Sequence, residues 1–116
     1  HRYVRSLEEV IIRTLADYGL TAERLDGYTG VWLPQTGVLP ARKICAIGVH
    51  LSRWVTLHGL AFNIDPDLRH FRNIIPCGIA EDNKAVTSLS LELGYTPDRA
   101  EVENKVLNHF REVFDY

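Results

Sequence analysis

Two residues of this sequence have clear chemical potential: Cys77, in a Pro-Cys-Gly turn, and Lys43, in a strand-like run. A thiol titrates near ~8.5, so at neutral pH it needs a nearby cation or base to act as a nucleophile. The Lys43 ammonium would stabilise the Cys77 thiolate, and the neutral amine would accept a proton. The pair therefore predicts nucleophilic chemistry at sulfur, of the kind that acyl transfer uses.

The residues beside Cys77 favour a turn that exposes the sulfur and backbone amides together. Pro76 fixes its own φ, and Gly78 can adopt backbone angles that other residues avoid. Backbone N–H groups in such a turn would hold the oxyanion of a tetrahedral intermediate. Taken alone, a cysteine in a turn is more often structural and a strand lysine is more often a surface residue, so the pair needs independent support.

Three other residues are competing candidates. Cys45 shares a strand face with Lys43 by simple alternation, but a mid-strand cysteine between apolar neighbours is typical of an inert small hydrophobic residue. His58 would suit a Cys-His hydrolase, and His58 with His50 would suit a metal site. Neither histidine has a third ligand at recognisable spacing, so we predict hydrogen-bonded sheet histidines and no metal.

Helices are predicted at both ends of the sequence. Ser6 and Glu9 form a capping-box pattern at the start of the first helix, and Gly19 ends it. The last helix is predicted to open at Thr96-Pro97. The apolar face of the first helix comprises Leu7, Val10, Ile11 and Leu15, and that of the last comprises Val102, Val106, Leu107, Phe110, Val113 and Phe114.

Runs rich in β-formers fill the middle of the sequence and surround Lys43. Strands between terminal helices predict an α+β fold class, and the absence of a linker or repeat predicts one domain over residues 1–116. The other predicted elements are strands at 22–25 and 31–33, a loop at 34–40, an antiparallel hairpin of strands 42–51 and 55–64 that turns at 52–54, and helices at 66–72 and 86–93.

Composition is that of an ordinary globular domain, with 46% hydrophobic and 24% charged residues among 116. No apolar run approaches the ~18 residues of a membrane span. The net charge of −2 argues against a general nucleic-acid binder. Two cysteines do not make a disulfide framework, which favours a reducing compartment.

Five short motifs occur in the order and approximate spacing of the lipoyl(octanoyl) transferases, and the chain resembles that family over nearly its whole length. Two further family motifs, Arg-Gly-Gly and Tyr-His-Gly-Pro-Gly, occur nowhere in it, so the resemblance is to the C-terminal half. The matching motifs are Asp26-Gly27-Tyr28-Thr29-Gly30-Val31-Trp32, Arg42-Lys43 leading into Ala46-Ile47-Gly48-Val49, His58-Gly59-Leu60-Ala61-Phe62-Asn63, Pro76-Cys77-Gly78-Ile79, and Thr87-Ser88-Leu89 with Glu92-Leu93-Gly94.

The resemblance implies a lipoate/biotin protein ligase-like fold, a mixed sheet with flanking helices, of which this chain would be the C-terminal portion. It implies transfer of an octanoyl group from acyl carrier protein to Cys77 as a thioester, and then to a lysine of a lipoyl domain. Lys43 would stabilise the thiolate and take the proton of the incoming amine, with no cofactor. The implied substrate-binding segments are Ala46-Ile47-Gly48 and Gly59-Leu60-Ala61.

The implied donor is octanoyl-acyl carrier protein, and the implied acceptors are lipoyl domains of 2-oxoacid dehydrogenases and the glycine cleavage H protein. The N-terminal half of the family domain would be a further partner, while no nucleic acid or membrane is expected. We expect a bacterial cytoplasm, with the mitochondrial matrix as the alternative.

Three other functions stay open: a non-catalytic acyl- or carrier-binding fragment, a lipoate ligase and a Cys-His thioesterase. A ligase that activates the acid with ATP needs no cysteine nucleophile. The presence of Cys77, and the absence of a glycine-rich phosphate loop from these residues, favour the transferase.

Overall fold

A computed structural model describes residues 2–26, 28–47, 55–57, 60–65 and 84–115. Within these ranges, helices flank a single mixed sheet, which confirms the predicted α+β class. The elements in chain order are α1 (Arg2–Asp17), β1 (Glu23–Leu25), β2 (Tyr28–Leu33), β3 (Ala41–Ile47), β4 (Val55–Leu57), β5 (Leu60–Phe62), β6 (Lys84–Val86), α2 (Leu89–Leu93) and α3 (Arg99–Phe114).

The sheet has the strand order β1-β2-β3-β5-β4, and β6 also pairs with β3. The β3–β6 pair is parallel, whereas the other pairs are antiparallel. One edge of β3 is covered by β2. The opposite edge is shared, because β6 pairs with the first half of β3 and β5 pairs with the second half.

β5 and β6 therefore meet end to end opposite Ile44, the residue between the two paired halves of β3. Just beyond β5, the Asn63 N–H donates to the Ile44 carbonyl at 3.0 Å. Just beyond β6, the Thr87 N–H donates to the Lys43 carbonyl at 2.9 Å. These bonds satisfy the backbone of β3 at the junction, where neither strand of the sheet continues.

The core lies between the sheet and the two long helices. The predicted stripe of α1 is confirmed, since all four of its side chains are at most 1% exposed. On α3, the buried part of the predicted face is narrower and comprises Val102, Val106 and Phe110. Both helices contribute to one hydrophobic cluster together with β2, β3, β5 and α2.

The predicted C-terminal end of α1 is confirmed, whereas its predicted N-terminal end is not. Gly19 follows the helix with φ +80°, and Leu20 N–H donates to the Leu15 carbonyl at 3.0 Å, which completes a Schellman-type end. The predicted start at Ser6 is wrong, because α1 already runs from Arg2. Ser6 therefore lies inside the helix, where the backbone N–H groups have helical partners and need no cap.

The predicted strand 55–64 is instead two strands, β4 and β5, which pair antiparallel with Leu57 opposite Leu60. Only two residues separate this pair, the length of a tight hairpin connection. The β propensity is high throughout residues 55–64, so it could not indicate that the chain reverses direction between β4 and β5. β5, rather than the whole segment, pairs antiparallel with β3.

Two helix starts also differ from prediction. The helix predicted from residue 86 begins at Leu89, because Val86 ends β6 and the Ser88 hydroxyl accepts a hydrogen bond from Leu91 N–H as N-cap. Gly94 ends it at φ +83°, as predicted. α3 begins at Arg99, two residues beyond Pro97.

The predicted turn at 52–54 and the helix at 66–72 lie outside the described residues. The strands predicted at 22–25 and 31–33 correspond to β1 and β2, although β2 begins three residues earlier. The loop at 34–40 joins β2 to β3 and contains a bridge between Thr36 and Leu39.

Candidate functional site

The sequence-predicted site is partly described by the structure. Five of its residues lie on β3 and β5, while the remaining three, together with both candidate histidines, lie outside the described residues. The described residues are Lys43, Ala46, Ile47, Leu60 and Ala61, and those outside are Cys77, Gly48 and Gly59, with His50 and His58.

Lys43 lies half-buried on β3, directly opposite Trp32 of β2. Its Nζ is 5.3 Å from the centroid of the Trp32 ring, within the range of about 6 Å for an attractive cation–π contact. Trp32 is itself only 4% exposed. The ammonium therefore faces an aromatic ring that is held firmly in the sheet.

Burial lowers the pKa of Lys43 below its ordinary value, and nearby Cys45 opposes this shift to a smaller degree. The cause is desolvation, which disfavours the charged form of an amine. A lysine in this setting releases its proton more readily than a surface lysine, which is the property required of a group that alternates between cation and base.

Gly30 allows β2 to approach the backbone of β3 closely beside Lys43. A Cβ added to Gly30 would lie 2.5 Å from the Cys45 carbonyl oxygen and 3.6 Å from Lys43 Cε. Its φ of +119° also belongs to the region that favours glycine. Any side chain at this position would push β2 away from β3, so the glycine allows the two strands to approach beside Lys43.

The Gly30 backbone is hydrogen-bonded to Glu8 of α1. The Gly30 N–H donates to Glu8 Oε2 at 3.0 Å, and Arg24 Nε donates to Glu8 Oε1 at 2.9 Å. Glu8 is 5% exposed, and these two donors satisfy its buried carboxylate. These two bonds tie α1, β1 and β2 together at Gly30.

The two predicted substrate-binding segments are brought together by the sheet. Ala46 lies opposite Ala61, and Ile47 lies opposite Leu60, on the antiparallel strands β3 and β5. Both pairs lie at the second half of β3, three residues or more beyond Lys43 in the register of that strand. Their contact with an acyl chain remains a prediction.

Thr87 and Glu92 belong to a sequence motif for which we predicted no role. Their contacts stabilise β3 next to Lys43. Arg42 Nε and Nη2 donate to the two oxygens of Glu92 at 2.7 and 2.9 Å, and the Thr87 hydroxyl donates to the same carboxylate at 2.7 Å. Arg42 Nη1 also donates to the carbonyls of Pro34 and Pro40 at 3.1 and 3.2 Å, which closes the loop between β2 and β3.

Cys45, the rival nucleophile, is 0% exposed and belongs to the hydrophobic core cluster. Its Sγ lies 3.7 Å from the Ala46 carbonyl oxygen. A thiol in this position is shielded from a substrate in solution, as expected of a structural cysteine.

The described ranges hold no group of three or more histidine, cysteine or acidic side chains arranged to bind a metal ion. Among the helices of the same ranges, none has both the length and the apolar character needed to cross a bilayer.

Comparison with known proteins identifies relatives of the whole chain. Residues 1–111 match the family model of the lipoyl protein ligase A/B catalytic domain. An octanoyltransferase of Cytophaga hutchinsonii is 52% identical over 115 residues, which cover 99% of this chain and 46% of the relative.

Two more relatives named octanoyltransferase come from Christiangramia forsetii, at 56% identity over 98% of the chain, and Chloroflexus aggregans, at 54% over 98%. The alignments cover 48% and 49% of those two relatives. The chain thus spans about half the length of the curated relatives it matches.

The family match spans nearly the whole sequence, including the strands and helices that surround Lys43. The resemblance that the short motifs suggested is confirmed by this match and by relatives that are more than half identical. The chain belongs to the lipoyl protein ligase A/B catalytic domain family.

Proposed function

We propose that this chain carries the nucleophile and the proton-transfer group of an octanoyltransferase that acts in protein lipoylation. Cys77 accepts an octanoyl group from octanoyl-acyl carrier protein and passes it to a lysine of a lipoyl domain. Lys43 serves both half-reactions. The observation that carries the proposal is the half-buried Lys43 amine, whose pKa is lowered; it lies on β3, the strand whose Ala46 pairs with Ala61 of β5.

In the first half-reaction the Cys77 thiolate attacks the carbonyl carbon of the donor thioester. A carbon–sulfur bond to Cys77 forms, the bond to the carrier's sulfur breaks, and the released carrier thiolate takes a proton from the Lys43 ammonium, which leaves Lys43 neutral for the second half-reaction. The Lys43 ammonium stabilises the attacking thiolate. Because a thioester replaces a thioester, this exchange is nearly balanced in free energy.

In the second half-reaction the ε-amine of the acceptor lysine attacks the Cys77 thioester. A carbon–nitrogen bond forms, the Cys77 thiolate leaves, and the proton lost by the attacking nitrogen passes to neutral Lys43. An amide is lower in energy than a thioester, so the transfer proceeds without ATP.

Two further facts support the proposal. Relatives more than half identical to the chain bear the name octanoyltransferase, and Cys45, the other cysteine of the sequence, is buried in the core and shielded from substrate. The donor, the thioester and the acceptor are the parts that experiment must establish.

The test is to incubate the chain with octanoyl-loaded acyl carrier protein and measure its intact mass. We expect a hydroxylamine-labile gain of one octanoyl group that is lost in Cys77→Ser and retained in Cys45→Ala. Alanine is the better control at position 45, because a serine hydroxyl would be buried there. Lys43→Met should slow adduct formation by roughly 10²-fold.

The alternatives give different products. Absence of any adduct would indicate a non-catalytic binding fragment, and free octanoate without adduct or amide would indicate a thioesterase. An acyl-adenylate formed from octanoate and ATP would indicate a ligase. Addition of a lipoyl domain to the loaded chain should move the octanoyl mass to that domain as a hydroxylamine-stable amide.

A further inference from the structure

The contact between Trp32 and Lys43 joins a buried ring to a half-buried amine on neighbouring strands. The two residues are direct partners in the β2–β3 ladder, and Lys43 Nζ lies 5.3 Å from the ring centroid. The ring is 4% exposed, so its position is fixed by packing rather than by solvent. A lysine side chain has a flexible four-carbon stem, and such a surface restricts where its ammonium can lie.

The backbone of Gly30 bounds the same stem. Lys43 Cε lies 3.6 Å from the point where a Gly30 Cβ would stand, which places Gly30 at the side of this stem. Glu8 accepts the Gly30 N–H at 3.0 Å and keeps this part of β2 in place. The Lys43 side chain therefore passes beside Gly30 and ends over the face of the Trp32 ring.

We propose that Trp32 is a positioning residue, whose indole face holds the Lys43 ammonium in the place from which it serves acyl transfer. The contact itself is independent of the proposed function, but its catalytic purpose rests on it. Trp32 touches neither the nucleophile nor the acyl group in this proposal and acts through Lys43. A negative ring face favours the ammonium, which partly offsets the loss of water around a half-buried cation.

The first test measures the contact directly, without activity. The chain has three lysines, Lys43, Lys84 and Lys105, so a lysine-labelled sample gives few Hε signals in NMR. We expect the Hε protons of Lys43, assigned from their loss in Lys43→Met, to show an upfield ring-current shift. That shift should disappear in Trp32→Leu and persist in part in Trp32→Phe.

Lys105 supplies a matched control, since its Nζ lies 5.6 Å from the Tyr18 ring centroid. The Lys105 signal should be unchanged in Trp32→Leu and should move in Tyr18→Leu. A Lys43 signal that does not respond to Trp32→Leu, in a variant that still melts cooperatively, would overturn the proposal.

The second test measures the consequence for the thiol. The rate of Cys77 alkylation by iodoacetamide is followed against pH, with Cys77 and Cys45 separated by peptide mass. Trp32→Leu should slow Cys77 alkylation at neutral pH by roughly threefold, the size expected of a partly exposed cation–π contact. Trp32→Phe should slow it less.

A double variant separates positioning from a general structural effect. If Trp32 acts through Lys43, Trp32→Leu should add nothing to the slowing already caused by Lys43→Met. An equal slowing in both backgrounds would show that Trp32 acts on the fold instead. If Lys43→Met leaves Cys77 alkylation unchanged, the role of Lys43 in the proposed function fails, whereas a Lys43→Met effect with a silent Trp32→Leu overturns the role of Trp32 alone.

Discussion

Arg42 and Glu92 form a two-bond ion pair, 2.7 and 2.9 Å long, that joins β3 to α2 one residue before Lys43. Both side chains are mostly buried, at 12% and 14% exposed. A carboxylate held by a guanidinium in this geometry is a strong, directional contact. The same arginine caps the loop that precedes it, so one side chain connects three segments around the candidate site.

Breaking this pair should destabilise the fold. In Glu92→Gln, Arg42 keeps its carbonyl contacts but loses its anionic partner, and we expect the free energy of unfolding to fall by about 2 kcal/mol. Urea titration measures this loss. The matched control is Glu103→Gln, which breaks an exposed pair with Arg99 and should cost less than about 0.5 kcal/mol. Equal losses in the two variants would contradict a special role for the buried pair.

The same carboxylate should make stability depend on acid. Burial raises the pKa of Glu92, but hydrogen bonds from Arg42 and Thr87 lower it more, so the net pKa lies below its ordinary value. The stabilisation is therefore present above the unfolded pKa, near ~4.3, and is lost as pH falls through the folded value. Glu92→Gln should lose less stability than the parent over that acidic range.

Gly30 should be the glycine least tolerant of a side chain among those the structure describes. Gly30→Ala places a Cβ 2.5 Å from the Cys45 carbonyl at φ +119°, so we expect a loss of about 3 kcal/mol or failure to fold. Gly94→Ala is the control, because its φ is +83° but nothing lies within 4 Å of the added Cβ. That variant carries backbone strain alone and should lose about 1 kcal/mol. Similar losses would mean that the close approach of β2 and β3 is unimportant.

His109 should make the packing of α1 against α3 sensitive to neutral pH. Its Nε2 lies 2.7 Å from Asp17 of α1 and its Nδ1 lies 3.0 Å from Glu112, which Arg13 also approaches at 3.6 Å. Burial lowers the pKa of His109, but the hydrogen bonds and charges of Asp17 and Glu112 raise it above its ordinary value.

The raised pKa fixes the sign of this effect. The stabilisation by protonated His109 is complete below the unfolded pKa, near ~6.5, and is lost as pH rises through the folded value. Urea titrations from about pH 5.5 to about pH 8.5 should show a larger decline in the parent than in His109→Gln. The quantity to compare is the difference between the two proteins, because it isolates the contribution of His109. Parallel curves would refute the prediction.

Lys43→Met should slow the proposed acyl transfer without destabilising the fold. Because burial lowers the Lys43 pKa, keeping the amine charged at neutral pH costs folding free energy. A methionine side chain has a similar shape but carries no charge. We expect a free energy of unfolding equal to the parent or higher by up to about 1 kcal/mol. Lys105→Met, at a half-buried lysine of α3 that lies over the Tyr18 ring, provides a comparison. A loss above about 1 kcal/mol in Lys43→Met would show that the lysine is retained for stability.

Local sequence signals predicted the elements that depend on local physics. The stripe at Leu7 and Ile11 is a periodicity within one helix, and Gly19 and Gly94 mark helix ends by their own backbone preference. The start predicted at Ser6 was wrong because a capping pattern does not show whether helix already precedes it. The start at Val86 predicted for α2 was wrong, because Val86 pairs in parallel with Lys43, and such a pairing between distant segments leaves no local pattern.

The candidate site was predictable in its chemistry but not in its surroundings. Lys43 was identified from its type and motif, whereas the ion pair of Arg42 and Glu92 spans 50 residues and leaves no local pattern. Trp32 belongs to a matching motif, but the sequence analysis predicted no role for it. A hairpin closed symmetrically across the loop at 34–40 would pair Trp32 with Arg42, one residue away from the observed partner Lys43.

The end-to-end meeting of β5 and β6 opposite Ile44 has a consequence for how the molecule assembles. The strand that carries Lys43 completes its hydrogen bonds only with segments far along the chain, and the Asn63 side chain links those segments by donating to the Thr87 carbonyl at 2.8 Å. Contacts of high sequence separation form only after the chain has lost much of its loop entropy. The junction of β5 and β6 beside Lys43 should therefore form late in folding. Only completely folded molecules would then hold this amine against Trp32 and the paired strands.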